Sequence, residues 1–234
     1  MRSPGPVSCS SRCPFTLPLF SLCLLIAIGA GIHPSKAEAQ LRIVPFVGAH
    51  APLSDLGELR DEAGTTLLEL GRSASSAAFG VGFEVGGAEG GLGARLGLAY
   101  AGQGRVPIRG FGCSDCAARG SLLSAGGGLL LRPLPRYLFV QPHFVIGGGY
   151  LWYGFDDDDL RGEGWDQVLV DQRRRYLELG AGTTLHLRVL RPQVELRMKI
   201  SGFDPGDGPS ELSASGSGGR QGNLYLTVAI PLGG

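Results

Sequence analysis

Beyond residue 40, apolar and polar positions alternate with a period of two through most of the chain. Phe79, Val81, Phe83 and Val85 alternate with Gly80, Gly82 and Glu84, and Leu92, Ala94, Leu96, Leu98 and Tyr100 with Gly93, Arg95, Gly97 and Ala99. Leu177, Leu179, Ala181, Thr183, Leu185 and Leu187 face away from Glu178, Gly180, Gly182, Thr184, His186 and Arg188. Val194, Leu196, Met198 and Ile200 oppose Glu195, Arg197, Lys199 and Ser201, and Leu224 to Leu232 oppose Asn223, Tyr225, Thr227 and Ala229. A period of two is the signature of a strand with chemically different faces. Weaker runs over 41–49, 121–132 and 138–152 bring the predicted number of strands to eight.

The connections between these runs alternate in length. Gly86–Gly91, Pro133–Arg136 and Val189–Pro192 are short turns, whereas the other connections are long, beyond ordinary hairpin loops. Short turns at one end and long loops at the other are the layout of an outer-membrane barrel. Small residues and a few charges on the polar faces suit the narrow interior of eight strands, and closure leaves no edge for strands this apolar. The predicted fold is therefore all-β, an eight-stranded antiparallel up-and-down transmembrane barrel. A soluble periplasmic ligand-binding calyx, with its apolar faces inward, is the alternative on the same pattern.

Ahead of the first strand, Arg2 and Arg12 precede an apolar stretch over 16–32, which ends near Ala37-Glu38-Ala39. That order predicts a secretory signal peptide over 1–39, cleaved before Gln40, with the barrel domain occupying 40–234. The protein has 21 basic and 21 acidic residues, and only Lys36 and Lys199 of the former are lysine. Loss of the leader leaves a mature net charge of about −2, which gives no basic surface for nucleic acid. It also removes Cys9, Cys13 and Cys23 and leaves Cys113 and Cys116 in an oxidising compartment. The 40 glycines follow no Gly-X-Y period and exceed the usage of an ordinary helical enzyme.

The chain resembles small outer-membrane β-barrel proteins of the OmpA-barrel/OmpX type. The likeness is carried by the opening Arg42-Ile43-Val44-Pro45-Phe46-Val47-Gly48, by Pro52-Leu53-Ser54-Asp55-Leu56, and by Leu131-Arg132-Pro133-Leu134-Pro135-Arg136. Val140-Gln141-Pro142 and Gly147-Gly148-Gly149 extend it. The resemblance implies a bacterial outer-membrane location, contact with outer-membrane lipid and lipopolysaccharide, insertion by the barrel-assembly machinery, and a monomer. Where members of this family commonly end in an aromatic residue, this chain reads Ile230-Pro231-Leu232-Gly233-Gly234. The peptidoglycan-anchoring role of two-domain relatives is not carried over.

Inside a filled barrel, Glu84 and Arg95 are expected to meet as an interior pair, as are Glu178, His186 and Arg188 with Glu195, Arg197 and Lys199, because an unpaired buried charge is costly. The same residues could instead form a gate. Cys113-Ser114-Asp115-Cys116, placed in the second long loop, predicts a local disulfide. A zinc site would need further ligands, and no helix start signals a thioredoxin-type pair. Asp156-Asp157-Asp158-Asp159 in the third long loop is a Ca²⁺ candidate by oxygen count, but its spacing is that of a solvated acidic loop, so no metal is assigned. His50 with Ser54 and Asp55 is the one cluster of hydrolase-like types, without an identifiable oxyanion donor. The expectation is a non-enzymatic protein without cofactor, with a structural, envelope-stabilising or surface-interaction role through four long external loops. A narrow passage for small or apolar solutes is the alternative.

Overall fold

The computed structural model describes residues 41–86, 91–110, 113–134, 139–156, 171–187, 190–203 and 215–233; the side chains of 103, 113–115, 156 and 215–218 are not described. The predicted leader over 1–39 lies outside these residues, as do Arg188 and Asp157 to Asp159.

Eight strands close into an antiparallel ring: β1 (Leu41–Pro52), β4 (Ser76–Gly86), β5 (Gly91–Gly110), β6 (Cys113–Arg132), β7 (Val140–Asp156), β8 (Gln172–Leu185), β9 (Gln193–Gly202) and β11 (Arg220–Ala229). Each pairs with its neighbour along the chain, β1 pairs with β11, and the β5–β6 pairing completes the ring. No helix occurs among the described residues. The alternation along each strand places its apolar face outward. Leu177 is 71% exposed and Val47 66%, and Leu41, Phe79, Leu96, Phe144, Ile146 and Leu226 continue the band around the barrel. A closed barrel with apolar side chains outside and charges inside is built for lipid, since closure satisfies every backbone group within the ring.

The long connections differ from the expected loops. Three further strands, β2 (Gly57–Arg60), β3 (Thr66–Leu70) and β10 (Ser215–Gly218), form a collar at the end opposite the short turns. β2 pairs with β3 and β10, and β3 pairs with β5 at Ile108 to Gly110. The second connection is itself a tall hairpin: β5 and β6 each run 20 residues, about twice what crosses a bilayer. Cys113 and Cys116 therefore lie on β6 at the top of this hairpin, in register with Gly110 and Ile108, and not in a free loop. The hairpin continues past Gly102-Gln103-Gly104 because the register shifts there, with Gly104 at φ +65°, as in a β-bulge that absorbs an extra residue.

Two cores fill the ring. Leu56, Leu59, Leu68, Leu70, Val106, Ile108, Leu122, Leu151, Tyr153 and Phe203 form an apolar cluster in the collar half. Leu59, Leu68 and Leu70 are fully buried there because β2 and β3 alternate as the barrel strands do, turning leucines inward and Glu58, Arg60 and Glu69 away. Towards the short-turn end the interior is polar.

Candidate functional site

The polar half of the lumen is built from inward residues of strands whose outward neighbours are Leu, Val, Ile and Phe. Glu84 on β4 and Arg95 on β5 are direct register partners, and Arg95 Nε and Nη2 donate to Glu84 Oε1 at 3.0 and 2.7 Å. Arg95 Nη1 reaches across the barrel to β9 and donates to both carboxylate oxygens of Glu195, each at 2.7 Å. Glu84 Oε2 accepts a 2.5 Å bond from Arg132 Nη2 at the foot of β6. His143 Nε2 on β7 donates to Glu195 Oε2 at 3.0 Å, and Arg197 Nε lies 2.8 Å from Glu195 Oε1. Arg197 also stands 3.7 Å from Glu178 and stacks 4.6 Å from the Phe46 ring centroid. All six charged residues of this lattice are buried.

Lys199 is treated differently. Its Nζ donates to Ser124 Oγ at 2.6 Å and lies 5.0 and 4.7 Å from the Tyr176 and Tyr225 ring centroids, so aromatic faces replace an ion partner. Above it, the Ser201 hydroxyl bonds Tyr153 at 2.8 Å, and Tyr153 donates to Gln221 at 3.1 Å. The rings of Tyr153, Tyr176 and Tyr225 pack in the apolar cluster, and Lys199 lies over two of them, so the tyrosines stand at the boundary between the two halves.

His186 is not drawn into this lattice. It stands just past the end of β8, half-buried, with Nε2 3.4 Å from Gln141 Oε1. Arg188 lies outside the described residues, as does the acidic run beyond Asp156. The lattice contains Arg132, which the sequence pattern did not single out, and His143, which its place on a polar strand face marks as an interior imidazole. Both obey the inward parity of their strands. For Arg132 parity was the available signal, but the glycines before it diluted it.

His50, Ser54 and Asp55 do not meet as a catalytic set. His50 is fully buried, with Nε2 donating to Asn223 Oδ1 at 2.9 Å and Ser76 bonding Nδ1 at 3.2 Å. Ser54 donates to the Arg220 carbonyl, and Asp55 accepts from the Arg72 amide. Their hydrogen bonds hold the collar onto the rim.

Between the lattice and the wall formed by Gly97, Gly126, Gly128 and Gly147 is a cavity of about 20 Å³, room for about one water molecule.

The chain matches no protein-family model, and no curated protein matches its sequence. Among solved structures, the outer membrane protein OprG from Pseudomonas aeruginosa superposes with a TM-score of 0.53 at 16% identity, over 83% of this chain and 96% of that one. Neisserial surface protein A (NspA) aligns at 0.40 and 13% identity, over 81% and 96%. A major outer membrane protein from Thermus thermophilus aligns at 0.42 and 13%, over 84% and 100%. The likeness to OprG is one of fold, that of a small eight-stranded outer-membrane barrel.

Proposed function

We propose that residues 1–39 export this chain, that the barrel-assembly machinery inserts it into a bacterial outer membrane, and that it serves there as a closed, non-enzymatic barrel. Its role is to stabilise the envelope and to present the collar to the outside. The observation that carries this reading is the double closure of the lumen. The Arg95 strut spans the polar half, and the apolar cluster of β2, β3 and the barrel top fills the other half. A solute would have to break a buried ion lattice, at several kcal/mol per exposed partner, and also displace the collar leucines.

A narrow passage is the competing role. Purified protein in planar bilayers separates the two. Silence over long recordings is the expected outcome; stable unitary conductance steps overturn the closed-barrel reading and make the lattice a gate.

A further inference from the structure

Most interior arginines have carboxylate partners, but among the described residues two outward ones on β8 have none. Arg173 and Arg175 point away from the lumen, both exposed, and neither is ion-paired among the described residues. The next carboxylate along their strand face among the described residues is Asp171, whose Oδ1 accepts from the Phe155 amide at 3.0 Å. Along that face the order is Arg173, Arg175, Leu177, Leu179, so the surface changes from cationic to strongly apolar within one step. Across the β7–β8 ladder, Trp152 opposes Arg173 and Tyr150 opposes Arg175, with Ile146 and Phe144 beyond them on the apolar side. This is where the hydrocarbon band ends and headgroups begin, on the long-connection side that faces outward in this fold class.

From this arrangement we infer that Arg173 and Arg175, with Tyr150 and Trp152, form a phosphate-binding site for a phosphorylated, multiply acylated lipid of the outer leaflet. The inference rests on the outer-membrane reading above. Three features favour this occupant. The Arg173 guanidinium lies 3.8 Å from the Tyr150 ring centroid and 5.8 Å from that of Trp152. Stacking holds its plane, the Tyr150 hydroxyl interacts with both Arg173 and Arg175, and the planar N–H fork of a guanidinium matches two oxygens of a phosphate. Two like charges at i and i+2 on one strand face stand about 7 Å apart and repel, and an anion between them removes that repulsion. Below them the lipid-facing surface is recessed: Gly127 and Gly148 are register partners, with Leu96 and Leu177 to either side. An acyl chain hanging from a phosphate held at Arg175 would run over this recess. A free anion would gain nothing from the apolar continuation, so the lipid is the occupant assigned.

The test uses the full mature chain folded in detergent micelles. Bis-phosphorylated lipid A and its enzymatically dephosphorylated form are added, and bound lipid is counted by native mass spectrometry. Wild type should retain the phosphorylated form at least about tenfold better. Arg173→Ala/Arg175→Ala should lose that preference while keeping its heat-modifiable mobility in SDS gels, and Arg60→Ala, which removes a collar arginine paired with Glu58, should keep it. Arg173→Lys/Arg175→Lys should fall between, because lysine keeps the charge but not the planar fork. The inference is overturned if the folded double alanine variant retains phosphorylated lipid as wild type does, or if wild type does not distinguish the two lipids. It is also overturned if millimolar inorganic phosphate displaces the lipid completely, since the site would then be one for a free anion. A wild-type chain that shows no heat shift and is soluble without detergent would instead overturn the barrel reading beneath it.

Discussion

Arg95 on β5 and Glu195 on β9 are bonded across the full width of the barrel, four strands apart in either direction around the ring, through two 2.7 Å hydrogen bonds from one guanidinium nitrogen. Because the same guanidinium also holds Glu84 on the adjacent strand, a single side chain ties opposite walls together. Residues 100 positions apart are thereby joined at the centre of the lumen, which makes the strut a constraint on barrel cross-section as well as a plug.

Arg95→Met should destabilise the folded barrel by about 3–5 kcal/mol, because it leaves Glu84 and Glu195 buried without their shared cation. Arg95→Met/Glu195→Gln should recover much of that loss, since Glu84 keeps Arg132 and Arg197 keeps Glu178, and no buried charge is then left without a partner. Urea unfolding in lipid vesicles, followed by the heat shift on gels, checks both. Equal losses for the two variants would mean that packing, not charge, is what Arg95 contributes.

Gly182 sits where a Cβ would come within 2.6 Å of the Val194 carbonyl and 2.7 Å of His143 Nε2. Gly182→Ala should cost about 1–3 kcal/mol by overpacking and should displace His143 from Glu195. At Gly202 a Cβ meets nothing within 4 Å, so Gly202→Ala should be nearly neutral. Comparing midpoints of the two variants under identical vesicle conditions tests the contrast.

Leu59 and Leu68 anchor the collar without contributing to the barrel wall. Leu59→Asp/Leu68→Asp should detach β2 and β3, making the bond after Arg60 sensitive to trypsin while the barrel stays resistant to SDS. Leu68→Ala alone should cost the collar about 2–5 kcal/mol. Limited proteolysis with mass mapping reads this directly; loss of the heat shift in the same variant would show that collar and barrel unfold together.

We propose that Cys113 and Cys116 close a disulfide at the top of the β5–β6 hairpin. The bridged segment is short, so Cys113→Ser/Cys116→Ser should lower stability by about 2 kcal/mol or less and leave insertion unchanged. Alkylation of the unreduced mature protein should add no mass, whereas alkylation of two thiols would refute the bridge.

The eight barrel strands were legible because lipid on one side and a polar core on the other impose an uninterrupted two-residue period, as in Leu92 to Tyr100. The collar was not, although Leu68 and Leu70 alternate correctly. Its strands are only four or five residues long, too short to stand out against the glycine, proline and acidic residues around them. Hairpin growth past Gly102-Gln103-Gly104 was hidden for a related reason: glycines that punctuate a loop and a glycine that forms a bulge look alike until the partner strand is placed.

Within the lumen, Glu84 and Arg95 are assigned to neighbouring inward faces by parity alone, because adjacent antiparallel strands bring such positions side by side. Parity does not say which residues meet across the ring. The contacts of Arg95 with Glu195 and of Arg132 with Glu84, and the seating of Lys199 between Tyr176 and Tyr225, depend on strand stagger, tilt and barrel width. The order of polar and apolar residues along the chain was enough to determine a closed barrel with these faces, since every strand carries its own solvent preference. Which charges close the lumen, and that the outer connections fold into a collar above it, was decided only by the tertiary structure, because those contacts join strands that are distant in sequence and owe their geometry to closure of the whole ring.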